Sequence, residues 1–233
     1  MSPEQGRRER NKLDKQERIF AAASELFGAD GYDGVTTQRI AERAGVTNGT
    51  LFRYAANKAE LLLMVMNSEF AARIAEGREA AASESAARPV TSDPAAQNAT
   101  HPAARVMALL TPIARGSRDP HESTSHYQRE LLFGEPTERY RAEGLALTET
   151  LQREIAALLS GDTDDDATLA ARAISNVLHL EIARAALEGS SPDDLLATIA
   201  RQVDLISSGY LRSRHPLTPD ASLTESPTKE DNS

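Results

Sequence analysis

The feature that most constrains this chain is the segment over residues 36–58, TTQRIAERAGVTNGTLFRYAANK. One of its first two threonines can cap a short helix, and Gly45 then ends that helix, because a residue without a Cβ suits a tight corner. Thr47 can cap a second short helix, which places Val46 and Leu51 at the two positions of a hydrophobic staple. The pattern therefore predicts two short helices joined by a sharp turn.

This arrangement is typical of a helix-turn-helix. Its apolar residues bury the angle between the helices, which leaves the second helix free to enter a DNA major groove. Gly49 and Thr50 are small enough to let the backbone approach the duplex closely, and hydroxyl and basic groups nearby can bind phosphate. The candidate DNA-binding residues are Thr36, Gln38, Arg39, Thr47, Asn48, Gly49, Thr50, Phe52, Arg53, Tyr54 and Lys58.

Several fixed spacings in this region resemble those of the TetR family of bacterial repressors. The shared positions are Leu26, Phe27, Gly31, Tyr32, Thr36, Ile40, Ala41, Ala44, Gly45, Val46, Gly49, Thr50, Leu51, Tyr54 and Lys58. The resemblance implies a homodimer on a palindromic operator that a ligand releases from DNA. The chain departs from the family at Phe52, where Tyr is usual, and at Ala55, where a large aromatic is usual. Phe52 is therefore expected to contact a thymine methyl or to pack, and Ala55 to loosen the junction with the next helix.

The distribution of charge permits DNA binding although the formal net charge is −9. Residues 1–62 hold 10 Lys and Arg against 9 Asp and Glu, which leaves 16 basic and 26 acidic residues beyond them. The acidic excess thus lies in the second part of the chain. For Arg39, one of the candidate DNA-binding residues, the alternative interpretation is a surface charge that does not bind DNA.

Composition favours an all-α fold, since Ala, Leu, Glu and Arg dominate and aromatic residues make up only 4%. We expect a three-helix DNA-binding domain over residues 13–57 and a helical bundle for ligand sensing and dimerisation over residues 58–213. A basic arm at residues 1–12 and a tail at 214–233 are expected to be disordered, and residues 82–102 to form a flexible loop.

Helix boundaries follow from capping signals. Asp14 with Glu17 can form a capping box, so the first helix is expected near Leu13, and Asn57 caps a fourth helix that runs to about Arg78. Later helices are expected near residues 103–116, 121–133, 136–160, 164–188 and 192–213.

The last two helices carry apolar residues at helical spacing. Leu196, Ile199, Val203, Ile206 and Tyr210 recur at intervals of three and four, as in a seam between helices. Together with Ile174 and Val177 of the preceding helix they are predicted to form half of a four-helix dimer interface. The alternative is that the seam only closes the core of one protomer.

A ligand cavity is expected between the helices of the larger domain, where bundles usually hold small molecules. Its polar candidates are His121, His126, Tyr127 and His179, each of which has the alternative of an ordinary surface or core position. His121 and His126 are five residues apart and do not share a helical face, so no metal site is expected. No cofactor is expected either.

Other classes of protein find little support in the sequence. No catalytic residues are nominated, because no nucleophile setting or phosphate-binding glycine loop is recognisable, and the chain has no cysteine. No segment is apolar enough for a membrane span, which predicts a cytoplasmic protein. We therefore expect a repressor that a small, mostly apolar effector releases from DNA. The alternatives are a helical enzyme and a helical scaffold that does not bind DNA.

Overall fold

A computed structural model describes residues 3–86, 102–116, 123–134, 138–160 and 164–214. Within those residues every regular element is a helix, which confirms the all-α fold. The helices are α1 (Pro3–Asp30), α2 (Thr37–Ala44), α3 (Asn48–Leu51), α4 (Lys58–Ala86), α5 (Pro102–Gly116), α6 (Ser123–Phe133), α7 (Arg139–Ser160), α8 (Asp165–Glu188) and α9 (Pro192–Arg214). No helix in the described ranges is long and apolar enough to cross a membrane.

The first helix begins at Pro3, so the prediction of a disordered arm over residues 1–12 was wrong for residues 3–12. Proline suits the first position of a helix, and the Glu, Gln and Arg residues that follow favour helix. Adding turns to a helix already held by tertiary packing also avoids the cost of nucleation. Asp14 is consequently inside α1, where its carboxylate pairs with Arg18 at 3.3 Å instead of capping the helix.

Helix α4 continues past the predicted end at Arg78 to Ala86, and α5 begins at Pro102. Both ends of the predicted loop over residues 82–102 are therefore helical, because alanine and glutamate in the sequence EAAASESA favour continued helix. Residues 87–101 lie outside the described part of the chain, as does the predicted tail beyond Arg214.

Two apolar cores organise the molecule. The first joins α1, α2 and α3 to the start of α4, to α6 and to the beginning of α7, and it includes the fully buried residues Ile19, Ile40, Leu51 and Leu62. The second holds the later part of α4 against α5, α7, α8 and α9. Because α4 contributes to both cores, the boundary between residues 13–57 and 58–213 stays a prediction.

The predicted dimer seam lies largely inside one protomer. Ile174, Ile199 and Val203 are 0% exposed and Tyr210 is 5% exposed, so assigning these four residues to a dimer interface was wrong. They close the protomer's own core, as the alternative interpretation held, since helical spacing identifies an apolar face without identifying its partner. The remaining three predicted residues are partly exposed, namely Val177, Leu196 and Ile206.

Candidate nucleic-acid interface and ligand cavity

The caps that the sequence predicted are present at both short helices. The Thr36 hydroxyl accepts from the Arg39 amide at 3.2 Å, and the Thr47 hydroxyl accepts from the Thr50 amide at 3.1 Å. Gly45 ends α2 in the left-handed region with φ of 65°, a conformation that disfavours any side chain. The angle between α2 and α3 is thus set by local hydrogen bonds.

The second helix presents a polar face to solvent. Asn48, Gly49 and Arg53 are exposed, while Leu51 is fully buried beneath them. Phe52 is 46% exposed, which favours an outward contact over the alternative of packing. Ala55 is only 2% exposed, so the small side chain lies inside the core where α3 meets α4.

The candidate residues on α2 have local partners. Arg39 pairs with Asp30 at 2.7 Å and donates to the Gly34 carbonyl at 2.9 Å, and Gln38 donates to Glu42 at 3.0 Å. The Arg39 contacts tie α2 to the last residue of α1 and to the turn that follows it, whereas the Gln38 bond lies within α2. They support the alternative interpretation of Arg39 as a surface ion pair.

Lys58 lies in the first turn of α4, with its Nζ 4.2 Å from the centroid of the Tyr32 ring. The Tyr32 ring also contacts the His126 ring, at 4.4 Å between centroids, and His126 lies 3.6 Å from the Asp33 carboxylate. His126 therefore lies against Tyr32 and Asp33, in the turn that follows α1, and its assignment to the ligand site stays a prediction. Helical spacing in the sequence could not have revealed the contact between His126 and Tyr32, because Tyr32 belongs to a distant segment.

The larger domain contains an apolar cavity of about 270 Å³ between α6, α7 and α8. Its lining is Leu131, Leu132, Leu145, Leu180 and Ala183, with Gln128, Thr148, Asn176 and His179 as the polar members. None of these side chains carries a formal charge when His179 is neutral. A smaller cavity of about 40 Å³ shares Gln128 and His179 and adds Tyr127, Phe70 and Arg73. His179 and Tyr127 were predicted, whereas His121 lies outside the described residues.

His179 is held as a neutral side chain. Burial lowers the pKa of His179 below its ordinary value, because the charged ring would lose hydration. The ring Nδ1 lies 2.7 Å from the Ser175 carbonyl oxygen, so Nδ1 donates the hydrogen bond. Gln128 donates to the His179 carbonyl at 2.9 Å and so connects α6 to α8 at the cavity.

A buried network that sequence reasoning missed connects the small cavity to α4. Tyr127 donates to Asn67 at 2.9 Å, and Asn67 donates to the Tyr140 carbonyl at 2.7 Å. The Tyr140 amide in turn donates to Glu60 at 2.8 Å, and burial raises the pKa of that carboxyl group. The available sequence signal for this network is that the polar Asn67 interrupts the apolar segment LLLMVMNSEF. The network joins α4, α6 and α7.

Comparisons with known proteins agree with this geometry. Residues 19–65 match the family model described as bacterial regulatory proteins, tetR family. A transcriptional repressor from Rhodococcus jostii, KstR, is 25% identical over 83% of this chain and 82% of its own length. A transcriptional activator from Mycolicibacterium smegmatis, FasR, is 39% identical over 28% of this chain and 31% of its own length. The crystal structure of Thermus thermophilus FadR with lauroyl-CoA shares the fold, with a TM-score of 0.57, 24% identity and coverage of 81% and 92% of the two chains.

Proposed function

Because the chain belongs to the TetR family of bacterial regulatory proteins, we propose that it represses transcription and leaves a palindromic operator when a small, mostly apolar effector binds. The observation that carries the proposal is the presence, in one chain, of an exposed helix-turn-helix face and an uncharged cavity of about 270 Å³. The proposed site of action is the cytoplasm, where bacterial DNA lies. Similarity over most of the chain to a repressor favours repression over activation.

We assign the base contacts to the exposed face of α3 and the turn that follows. Asn48 and Arg53 have polar groups suited to base edges, and Phe52 suits a thymine methyl. Thr36, Thr50, Tyr54 and Lys58 carry hydroxyl or ammonium groups suited to phosphate. Gln38 and Arg39 are weaker candidates, since each already has a partner within the domain.

The cavity lining indicates the class of effector. Leucine and alanine side chains dominate, and the polar groups are amide, hydroxyl and neutral imidazole. A compound with an apolar body and one or two hydrogen-bonding groups fits this lining, whereas an ion buried there would be unpaired. The lauroyl-CoA of the Thermus protein has such an apolar chain, which supports testing acyl compounds first.

Homodimerisation is proposed through a different face from the one that the sequence indicated. Leu169, Leu180 and Leu187 of α8 are 64%, 67% and 84% exposed, and their separations of eleven and seven residues, about three and two helical turns, place them on one side of the helix. Leu205 of α9 is 61% exposed. Exposed leucines gathered on one side of a helix are typical of an interaction surface, so a second copy is the proposed cover. The partly exposed Val177, Leu196 and Ile206 stay predicted members.

The proposed coupling between the cavity and DNA runs through two helices. Helix α6 lines the cavity through Gln128 and Leu131, and its His126 contacts Tyr32 in the DNA-binding domain. Helix α4 begins next to the DNA-binding face and receives the Tyr127 hydrogen bond at Asn67. A shift of α6 on effector binding would therefore move α4 and change the separation of the two recognition helices. Operator half-sites have fixed spacing, so the change would weaken binding.

The test has two stages. Selection of bound fragments from a genomic DNA pool gives the operator, and failure to enrich any duplex would refute the proposal in favour of a helical scaffold. Acyl thioesters and uncharged apolar compounds are then titrated against the protein with and without saturating operator. A coupling of 1–3 kcal/mol should make operator weaken effector binding by roughly 5- to 150-fold. Equal affinities in the two titrations would refute effector-induced release.

A further inference from the structure

We propose that the N-terminal turns of α1 form a second DNA-binding surface, which binds phosphates of the same duplex that α3 reads. The inference rests on the proposed function and extends its site to residues that neither the sequence motif nor the family model covers, since the model match begins at residue 19. The surface is a groove of about 400 Å³ between α1 and the recognition helix. Its lining residues are Arg8, Glu9, Asn11, Lys12, Lys15, Thr50, Arg53 and Tyr54.

Helical spacing places the basic residues of α1 on one side. Arg8, Lys12 and Lys15 follow one another at four and three residues, so they share a face of α1, and that face is turned toward α3. The Tyr54 hydroxyl donates to the Lys12 carbonyl at 3.3 Å and attaches this part of α1 to the end of the recognition segment. The basic side chains are thus held beside the base-reading face.

The charge of the groove identifies its occupant as an anion. Four of its lining residues are basic and one, Glu9, is acidic, in a chain whose formal net charge is −9. Thr50 and Tyr54 add hydroxyl groups of the kind that bind phosphate oxygens. Because Arg53 and Thr50 belong to both this groove and the DNA-binding segment, a duplex on α3 brings its backbone to the groove.

The dimensions of the groove suit a run of phosphates. Seven residues separate Arg8 from Lys15, which corresponds to about 10 Å along a helix. One DNA strand carries a phosphate about every 3.4 Å along the helix axis, so this length matches about three phosphates. Lysine is a flexible point charge and suits phosphate better than a base edge. A helix also holds these charges in position before DNA arrives, so less ordering entropy is lost on binding.

The test is the salt dependence of duplex binding by the full-length double variant Lys12→Gln/Lys15→Gln. Fluorescence anisotropy with a labelled random-sequence duplex gives the slope of log K against log salt. Loss of two phosphate contacts should lower the magnitude of the slope by about 1.8, which corresponds to about 30-fold weaker binding near 0.15 M salt. The variant Lys12→Arg/Lys15→Arg keeps both charges and should keep the slope.

A control variant with the same change in net charge distinguishes the loss of phosphate contacts in the groove from a general effect of net charge on DNA binding. Arg115→Gln/Arg153→Gln removes two exposed basic residues from the larger domain and should leave the slope unchanged. An unchanged slope for the lysine-to-glutamine variant, or an equal fall in this control, would overturn the inference while leaving the proposed function intact. Absence of duplex binding by the wild-type protein would instead overturn the proposed function.

Discussion

Leu180→Glu should convert a dimer into a folded monomer. Leu180 lies midway along the exposed stripe of α8 and is 67% exposed in a single protomer. Glutamate is a good helix former, and the side chain can extend into water, so the substitution should change the free energy of unfolding of the protomer by less than about 0.5 kcal/mol. Leu180 also lines the apolar cavity, so a change in effector affinity is assigned to the cavity, whereas a large change in the oligomeric state of the folded protein is assigned to the association of two copies.

The expected loss of dimer stability in Leu180→Glu follows from the apolar area that association would remove from water. Full burial of a leucine side chain contributes about 1.5–3 kcal/mol, so burying the two-thirds that is exposed contributes about 1–2 kcal/mol. A symmetric dimer contains the substitution twice, so the expected loss of association free energy is about 2–4 kcal/mol. This loss corresponds to a rise in the dimer dissociation constant of roughly 30- to 900-fold. Two unpaired carboxylates in the interface add a further penalty.

Sedimentation velocity over a range of protein concentrations measures the result, with circular dichroism to confirm the fold. Leu13→Glu is the matched control, because Leu13 is 50% exposed on α1, away from the stripe, and should leave the dimer intact. Val203→Glu should behave differently from both, since Val203 is 0% exposed and the charge would unfold the protomer. A folded Leu180→Glu protein that remains dimeric would refute the assignment of this face.

Three further outcomes are expected. Lys58→Ala should weaken binding to all duplexes and lower the magnitude of the salt slope by about one, and an unchanged slope in filter binding would assign Lys58 to the Tyr32 contact alone. Gly45→Ala should lower the free energy of unfolding by about 1–2 kcal/mol in urea because its φ is positive, whereas Gly28→Ala in open space on α1 should raise it by up to about 1 kcal/mol. Because burial lowers the pKa of His179, the unfolded chain takes up its proton first, so the wild type should lose stability as pH falls below about 6.5 while His179→Gln loses less. Urea titrations at neutral pH and near pH 5 give the comparison, and parallel losses would contradict it.

The DNA-binding segment could be predicted from sequence because its determinants are local. Thr36 and Thr47 each cap a helix through an amide three residues away, and Gly45 ends α2 through its own backbone conformation. These interactions join residues that are close in sequence, so they can be recognised without the tertiary structure. The same local rules failed at the start of α1, where Asp14 has the spacing of a cap but the helix already extends through it.

Periodicity is enough to identify α8 and α9 as amphipathic helices, whereas the face of each helix that points inward depends on packing in three dimensions. Helix α8 carries apolar residues on two sides, with Ile174 and Leu178 buried in the protomer and Leu169 and Leu180 exposed. Periodicity reports the angle between apolar side chains on one helix, and it contains no reference to a neighbouring helix. The inward face is selected by the summed packing of distant segments. The position of His126 is decided in the same way, because its partner Tyr32 precedes α4 in the sequence and His126 follows it.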